Sequence, residues 1–173
     1  MIEALEKWHD FYVLVGTAGA TLLALLFVAV SLGAGYLSNR NQGPTRLFMS
    51  PVVIHFTSVF FVSAVCLVPS HGTAFFAAVI GLTGLIGAVV SVVITMGVMR
   101  SRVTQYVPDH FAYGAVPALA YLVLVAAATV IYRENIAGLD LLAGALLLLI
   151  VVNIRNAWDL TLSMVRHHAG DKK

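Results

Sequence analysis

Apolar residues gather into five long runs along the chain, separated by short polar connectors. Each run is close to the roughly 20 residues that a helix needs to cross the hydrocarbon core of a bilayer. Strands are not expected, because the runs are too long and their polarity does not alternate with period two. The pattern predicts an all-α integral membrane protein, a bundle of about five transmembrane helices forming a single transmembrane domain over residues 1–173. The predicted helices cover residues 11–37, 51–69, 73–99, 111–132 and 139–165.

The connectors carry residues that are typical of helix ends. Ser50 followed by Pro51 is the pattern of an N-cap and a first-turn proline, although Thr45 is an alternative cap for a helix that begins earlier. Asp109 is a candidate cap for the fourth helix, and Gly138 interrupts the chain before the fifth. The connectors leave no room for a soluble domain.

The composition agrees with a membrane location. Hydrophobic residues make up 60% of the chain and charged residues 10%, against roughly 25% charged residues in a soluble domain. A soluble protein of this length could not hide so much apolar surface. The net charge is only +2 and no basic stripe runs along a polar helix, so we expect no nucleic-acid partner. Cys66, the single cysteine, excludes an internal disulfide and a cysteine-rich metal site.

The arginines and lysines predict the orientation of the chain. Cytoplasmic connectors of membrane proteins are enriched in these residues, and here seven lie on one predicted side and two on the other. We therefore expect an N-terminus outside and a C-terminus in the cytoplasm. The richer side holds Arg40, Arg46, Arg100, Arg102, Arg166, Lys172 and Lys173, and the poorer side holds Lys7 and Arg133.

Small residues recur at four-residue spacing on two helices. The first helix carries Gly16, Ala20 and Ala24, and the third carries Gly84 and Ala88. Such ladders let helix backbones approach closely in lipid. Two interpretations stay open: packing within one chain, or a ladder that is a seam between subunits or lines a pore.

The end of the fifth helix is unusually polar. Arg155 and Asp159 are four residues apart and share a helix face, with Asn156 on the same side and Asn153 one turn earlier. Polar groups at membrane depth usually face protein or water. The segment is either an anchored ion pair or a pore mouth or docking site, so all four residues are candidate polar-face residues.

His55 is the candidate polar residue of the second helix. Ser63 and Cys66 lie roughly on its face. A membrane histidine can be a proton site, a metal or haem ligand, or a satisfied hydrogen-bonding group. Because no second histidine accompanies it at helical spacing, we expect no metal and no cofactor, and a hydrogen-bonding role is favoured.

Catalytic signatures are missing from the sequence. There is no nucleophile elbow, phosphate-binding loop, dinucleotide fingerprint or zinc-protease motif. Acidic residues are absent from the first four predicted helices, which disfavours a carboxylate-driven pump. Asp140 fits a charge matched to the start of the fifth helix. We therefore expect that the protein is not an enzyme.

One stretch carries a family resemblance. Residues 8–18 (WHDFYVLVGTA), continuing through residues 25–31 (LLFVAVS), resemble the opening helix of a loose group of uncharacterised small bacterial multi-pass membrane proteins. The resemblance implies a small protein of the bacterial inner membrane, and it transfers no site residue.

Two functions of different classes follow from these observations. The first is a small oligomeric channel or pore for ions or small solutes, formed by a homo-oligomer in the lipid bilayer. Hydroxylated helix faces, the lack of coupling acids and the small number of helices favour it. The alternative is a non-catalytic accessory or regulatory subunit that binds another membrane protein. A third, weaker option is a cofactor-binding protein that uses His55.

Overall fold

The computed structural model describes residues 2–37, 42–69, 72–100 and 114–170, with side-chain surroundings over 5–31, 51–69, 72–97, 114–159 and 161–162. These residues form helices and turns and include no strand, so the all-helical prediction is confirmed. The helices are α1 (Ile2–Lys7), α2 (His9–Leu37), α3 (Gln42–Cys66), α4 (Thr73–Arg100), α5 (Val116–Tyr132) and α6 (Ala137–Gly170).

Three helices are long and apolar enough to cross a membrane. The segments are His9–Ser31 in α2, Thr73–Gly97 in α4 and Ala137–Asp159 in α6. The apolar stretches Pro51–Cys66 and Val116–Tyr132 are shorter. Large apolar side chains also cover the outside of the bundle, for example Leu14 and Val89, each more than half exposed. A soluble protein rarely exposes so much apolar surface, and together with the three spans this indicates a membrane protein.

The start of α3 differs from the helix predicted at residue 51. In the structure the helix begins at Gln42, and Pro51 lies inside it. Proline lacks the N–H that would bond to the carbonyl four residues earlier, and in membrane helices neighbouring groups compensate for that loss. The sequence pattern of a cap followed by proline therefore does not mark the helix start here. Asp109 and residues 111–113 lie outside the described residues.

Neighbouring helices run antiparallel along the chain. Gly16 and Gly19 of α2 face Ser63 and Val59 of α3. Along α5, Ala128, Val125 and Tyr121 face Gly81, Gly84 and Gly87 of α4 in turn. Helix α5 packs against both α4 and α6, and α3 contacts α2, α4 and α6. Helix α6 also contacts α2, so α3 and α6 each pack against three other helices.

A tight turn joins α5 to α6. The N–H of Glu134 donates to the Ile131 carbonyl at 2.8 Å, and the N–H of Asn135 donates to the Val130 carbonyl at 3.3 Å. This is the pattern of a helix end closed by a residue in the left-handed region, and Glu134 has φ 58°. The Asn135 side-chain oxygen then accepts from the N–H of Ala137 at 3.0 Å, which starts α6. Local hydrogen bonds therefore reverse the chain within four residues.

All the long helices contribute buried side chains, in one large cluster and a smaller one around Val52 and Phe56. The largest fully buried side chains include Tyr12 of α2, Phe56 of α3, Phe76 of α4, Tyr121 of α5 and Leu146 of α6. The buried positions of α3 recur every three or four residues, which is the period of one helix face. That face carries His55 into the interior.

Candidate functional site

A chain of hydrogen bonds links α3 to α5 in the interior. The Nδ1 atom of His55 lies 2.9 Å from the Tyr121 hydroxyl oxygen. The Tyr121 hydroxyl donates to the Ser58 hydroxyl oxygen at 3.0 Å, and the Ser58 hydroxyl donates to the Ile54 carbonyl at 2.9 Å. His55 and Tyr121 are completely buried. The arrangement connects residues 66 positions apart in the sequence.

The direction of these bonds determines which imidazole nitrogen carries the proton. The hydroxyl hydrogen of Ser58 points to a carbonyl, so Ser58 accepts from Tyr121. Tyr121 has then used its own hydrogen, and its oxygen accepts from Nδ1–H of His55. Neutral His55 therefore carries its proton on Nδ1 and presents an acceptor lone pair at Nε2. These hydrogen bonds run from His55 through Tyr121 and Ser58 to a backbone carbonyl. A carbonyl has no hydrogen to donate, so the bonds do not form a path for protons beyond that point.

Glycine on α4 makes room for Tyr121. A β-carbon added at Gly87 would overlap the Tyr121 ring, on its Cε1, Cδ1 and Cζ atoms. The ring therefore lies against the backbone of α4 while its hydroxyl reaches α3. Gly84, one turn earlier on α4, makes a similarly close approach to the Tyr121 carbonyl. The glycines of α4 thus position the hydroxyl that orients His55.

Asparagines of α6 complete the polar interior. The Nδ2 atom of Asn153 donates to the Val52 carbonyl at 3.0 Å, which ties α6 to α3 one turn before His55. Asn153 and Asn156 are both completely buried. A carbonyl oxygen has two lone pairs, so the Val52 oxygen can accept this bond in addition to a bond within its helix. The candidate residues Asn153 and Asn156 therefore lie inside the single chain.

Ser63 is buried at a different place. It lies two turns after His55, where it faces Gly16 of α2 across the α2–α3 contact. A β-carbon at Gly16 would lie 3.0 Å from Cβ of Ser63. The structure therefore does not bring Ser63 together with Tyr121 and Asn153.

The charged pair of α6 lies on a more open surface. An Arg155 guanidinium nitrogen is 4.0 Å from an Asp159 carboxylate oxygen, and the two side chains are 49% and 40% exposed. That separation is at the outer limit for an ion pair. Both side chains point away from the interior that holds Asn153. The pair is a half-exposed surface feature of one chain, and it does not join the His55 cluster.

The small-residue ladders divide between the interior and the surface. Gly16 and Gly84 are buried against the neighbouring helices α3 and α5. Ala20 and Ala88 are half-buried, and Ala24 is exposed. Within one chain, the glycines therefore serve helix packing, and the end of the first ladder lies on the outside of α2.

Sequence reasoning missed Tyr121 and the role of Ser58. Tyr121 sits in an otherwise apolar helix, where a tyrosine hydroxyl needs a partner if it is buried. This requirement could have marked Tyr121 as a candidate polar residue, but it does not predict which helix supplies the hydrogen-bond partner. The structure shows that the partner comes from α3. Among the described residues, no group of three or more histidine, cysteine, aspartate or glutamate side chains is placed to hold a metal ion.

The arrangement can orient one neutral imidazole and hold three helices together. Comparison with known proteins adds no assignment, since no family model, curated protein or solved structure matches the chain.

Proposed function

We propose that the chain is a five-helix membrane protein that assembles with copies of itself into a small pore for ions or small solutes. The observation that carries the proposal is the outer face of α2. Thr17, Thr21, Ala24 and Ser31 are all exposed there. Thr17, Thr21 and Ala24 recur every three or four residues and so form one stripe along the helix. Ser31 lies on the same face two turns further on, beyond the exposed Phe27 and Val28.

The stripe lies opposite the face that packs on α3. Gly16 and Gly19 turn inward and contact α3, whereas the threonines turn outward. A helix that faces lipid alone gains nothing from hydroxyl groups, while small and hydroxylated residues suit close helix contact or a wet surface. The stripe is therefore a reasonable lining for a pore built from several copies of α2.

A single chain offers a poor route for solutes. His55, Tyr121 and Asn153 are completely buried and bonded within the bundle. Their hydrogen bonds would have to break before a solute could pass among them. A path between chains, along the outer stripe of α2, needs no such disruption.

The packing supports five spans. Helices α2, α4 and α6 have the length of membrane spans. Helix α3 lies antiparallel to α2, and α5 lies antiparallel to α4 through the contacts of Gly81 and Gly84. We expect an apolar helix packed along a membrane span to lie in the membrane with it, where neighbouring helices satisfy its polar groups. Five antiparallel spans place the two ends of the chain on opposite sides.

We propose an N-terminus outside and a C-terminus in the cytoplasm of a bacterial inner membrane. The support is the excess of arginine and lysine on one side. A reporter fused after Lys173 tests the orientation. Activity of a cytoplasmic reporter is expected, and activity of a periplasmic reporter would reverse the assignment.

The pore is tested by cysteine labelling in liposomes. In a Cys66→Ala background, Thr21→Cys places a thiol on the stripe, and Ile86→Cys places one on the exposed face of α4. Ile86 lies about as far from the start of α4 as Thr21 lies from the start of α2. A charged methanethiosulfonate reagent should block ion flux at Thr21→Cys and leave Ile86→Cys unchanged.

The oligomeric state is measured on the same samples by native mass spectrometry. More than one copy per particle is expected. A monomer without flux in lipid would contradict the proposal. An oligomer without flux, or equal labelling effects at both positions, would also contradict the pore and would favour the accessory-subunit alternative.

A further inference from the structure

Two acceptor atoms are buried without a donor, one on α3 and one on α6. They are Nε2 of His55 and Oδ1 of Asn153, and neither has a hydrogen-bond partner. Both residues are completely buried. Buried polar atoms of native proteins nearly always have a partner, either protein or ordered water.

Neither residue can satisfy the other by rearrangement. Turning the His55 ring would break its bond to Tyr121, which the Ser58 hydroxyl fixes in direction. Turning the Asn153 amide would place its oxygen against the Val52 carbonyl in place of the Nδ2 donor. As long as these bonds hold, both remaining atoms are acceptors, and two acceptors repel each other.

Along α3, the residue that Asn153 binds and the residue that carries the other acceptor are one helical turn apart. Asn153 binds the Val52 carbonyl, one turn before His55. Side chains on a helix lean toward the preceding turn, so the imidazole leans toward the turn that Asn153 contacts. A small molecule with two donor hydrogens matches this pair.

We propose that His55 and Asn153 form a binding site for one internal water molecule at the α3–α6 contact. The water donates one hydrogen to Nε2 of His55 and the other to Oδ1 of Asn153. Buried waters of this kind serve polar groups that protein atoms leave unsatisfied. The site does not depend on the proposed pore, because it lies inside one chain.

Solid-state NMR on the full chain in lipid bilayers tests the site. Histidine rings are labelled with nitrogen-15, and His55 is assigned among the six histidines by comparison with His55→Gln. We expect a proton on Nδ1, no proton on Nε2, and magnetisation transfer from water to Nε2. A proton on Nε2, or no transfer from water in the wild type, would overturn the proposal.

Variants separate the site from general hydration. Asn153→Leu removes one acceptor while leaving His55 in place, and it should reduce the water transfer to Nε2 several-fold. Asn135→Leu changes an exposed asparagine of the α5–α6 turn and should leave the transfer unchanged. An equal transfer in wild type and Asn153→Leu would also overturn the proposal. The wild-type spectrum decides the question even if Asn153→Leu fails to fold.

Discussion

The close contact of α4 with α5 gives the sharpest test of the fold. A β-carbon added at Gly84 would lie 2.8 Å from Cγ2 of Val125, 3.0 Å from the Tyr121 carbonyl oxygen and 3.1 Å from the Val125 nitrogen. Two of these atoms are backbone and cannot rotate away. In Gly84→Ala the two helices must therefore separate, and such overpacking costs about 1–3 kcal/mol.

Replacing glycine by alanine also stabilises the helix itself, and this stabilisation must be separated from the cost of overpacking. Alanine is favoured over glycine in a helix interior by about 1 kcal/mol. Gly144 of α6 supplies the matched control, because it is exposed in mid-helix and a β-carbon there would meet nothing within 4 Å. Gly144→Ala should show this stabilisation alone. The free energies of unfolding of the two variants should differ by about 1–3 kcal/mol, with Gly84→Ala the less stable.

The measurement is unfolding of the purified protein by titration with sodium dodecyl sulfate, repeated as thermal unfolding in nanodiscs. Gly84→Leu extends the series, since a larger side chain must open the contact further. Equal stability of Gly84→Ala and Gly144→Ala would refute the close approach of α4 and α5. It would also remove the support that this contact gives to Tyr121.

Three further predictions concern hydrogen bonds, charges and the turn. Tyr121→Phe removes the hydroxyl that joins α5 to His55 and Ser58 of α3 and should lower the free energy of unfolding by about 1–3 kcal/mol, as measured by the same titration; an unchanged value would show that these bonds contribute nothing. Stability should change by at most about 1 kcal/mol in Asp159→Ala, in Arg155→Gln and in the double variant, because the pair is half exposed. If thermal unfolding shows a single variant to be much less stable than the double variant, the pair is buried instead. Glu134→Gly should be neutral or stabilising by up to about 1 kcal/mol, and Glu134→Val destabilising, because φ at this position is 58°; the reverse order of melting temperatures would contradict the turn.

Long apolar helices could be predicted from the sequence because the thickness of the lipid bilayer sets their minimum length. Lipid requires a run of apolar residues long enough to cross it, and such runs are visible at 73–99 and 139–165 without any tertiary information. The start of α3 could not be read in this way. Its predicted cap and proline obey local rules, yet the structure continues the helix through Pro51 to Gln42.

The candidate site was only partly visible in the sequence. His55 and Asn153 stood out as polar residues in apolar helices, and both are buried. Ser63 shares a helix with His55 but faces α2, two turns away. Helical spacing places residues on one face, but one face of α3 contacts different helices along its length.

What the sequence by itself determined is that three segments are long and apolar enough to cross a membrane, because apolar composition and length are properties of a single segment. Only the tertiary structure decided which groups meet. Tyr121 reaches His55 because Gly87 lets its ring lie against α4, and this needs three helices in fixed relation. Likewise, Gly16 is buried against α3 while the adjacent Thr17 is exposed. Which face of a helix is buried depends on where the neighbouring helix packs, and only the tertiary structure shows this.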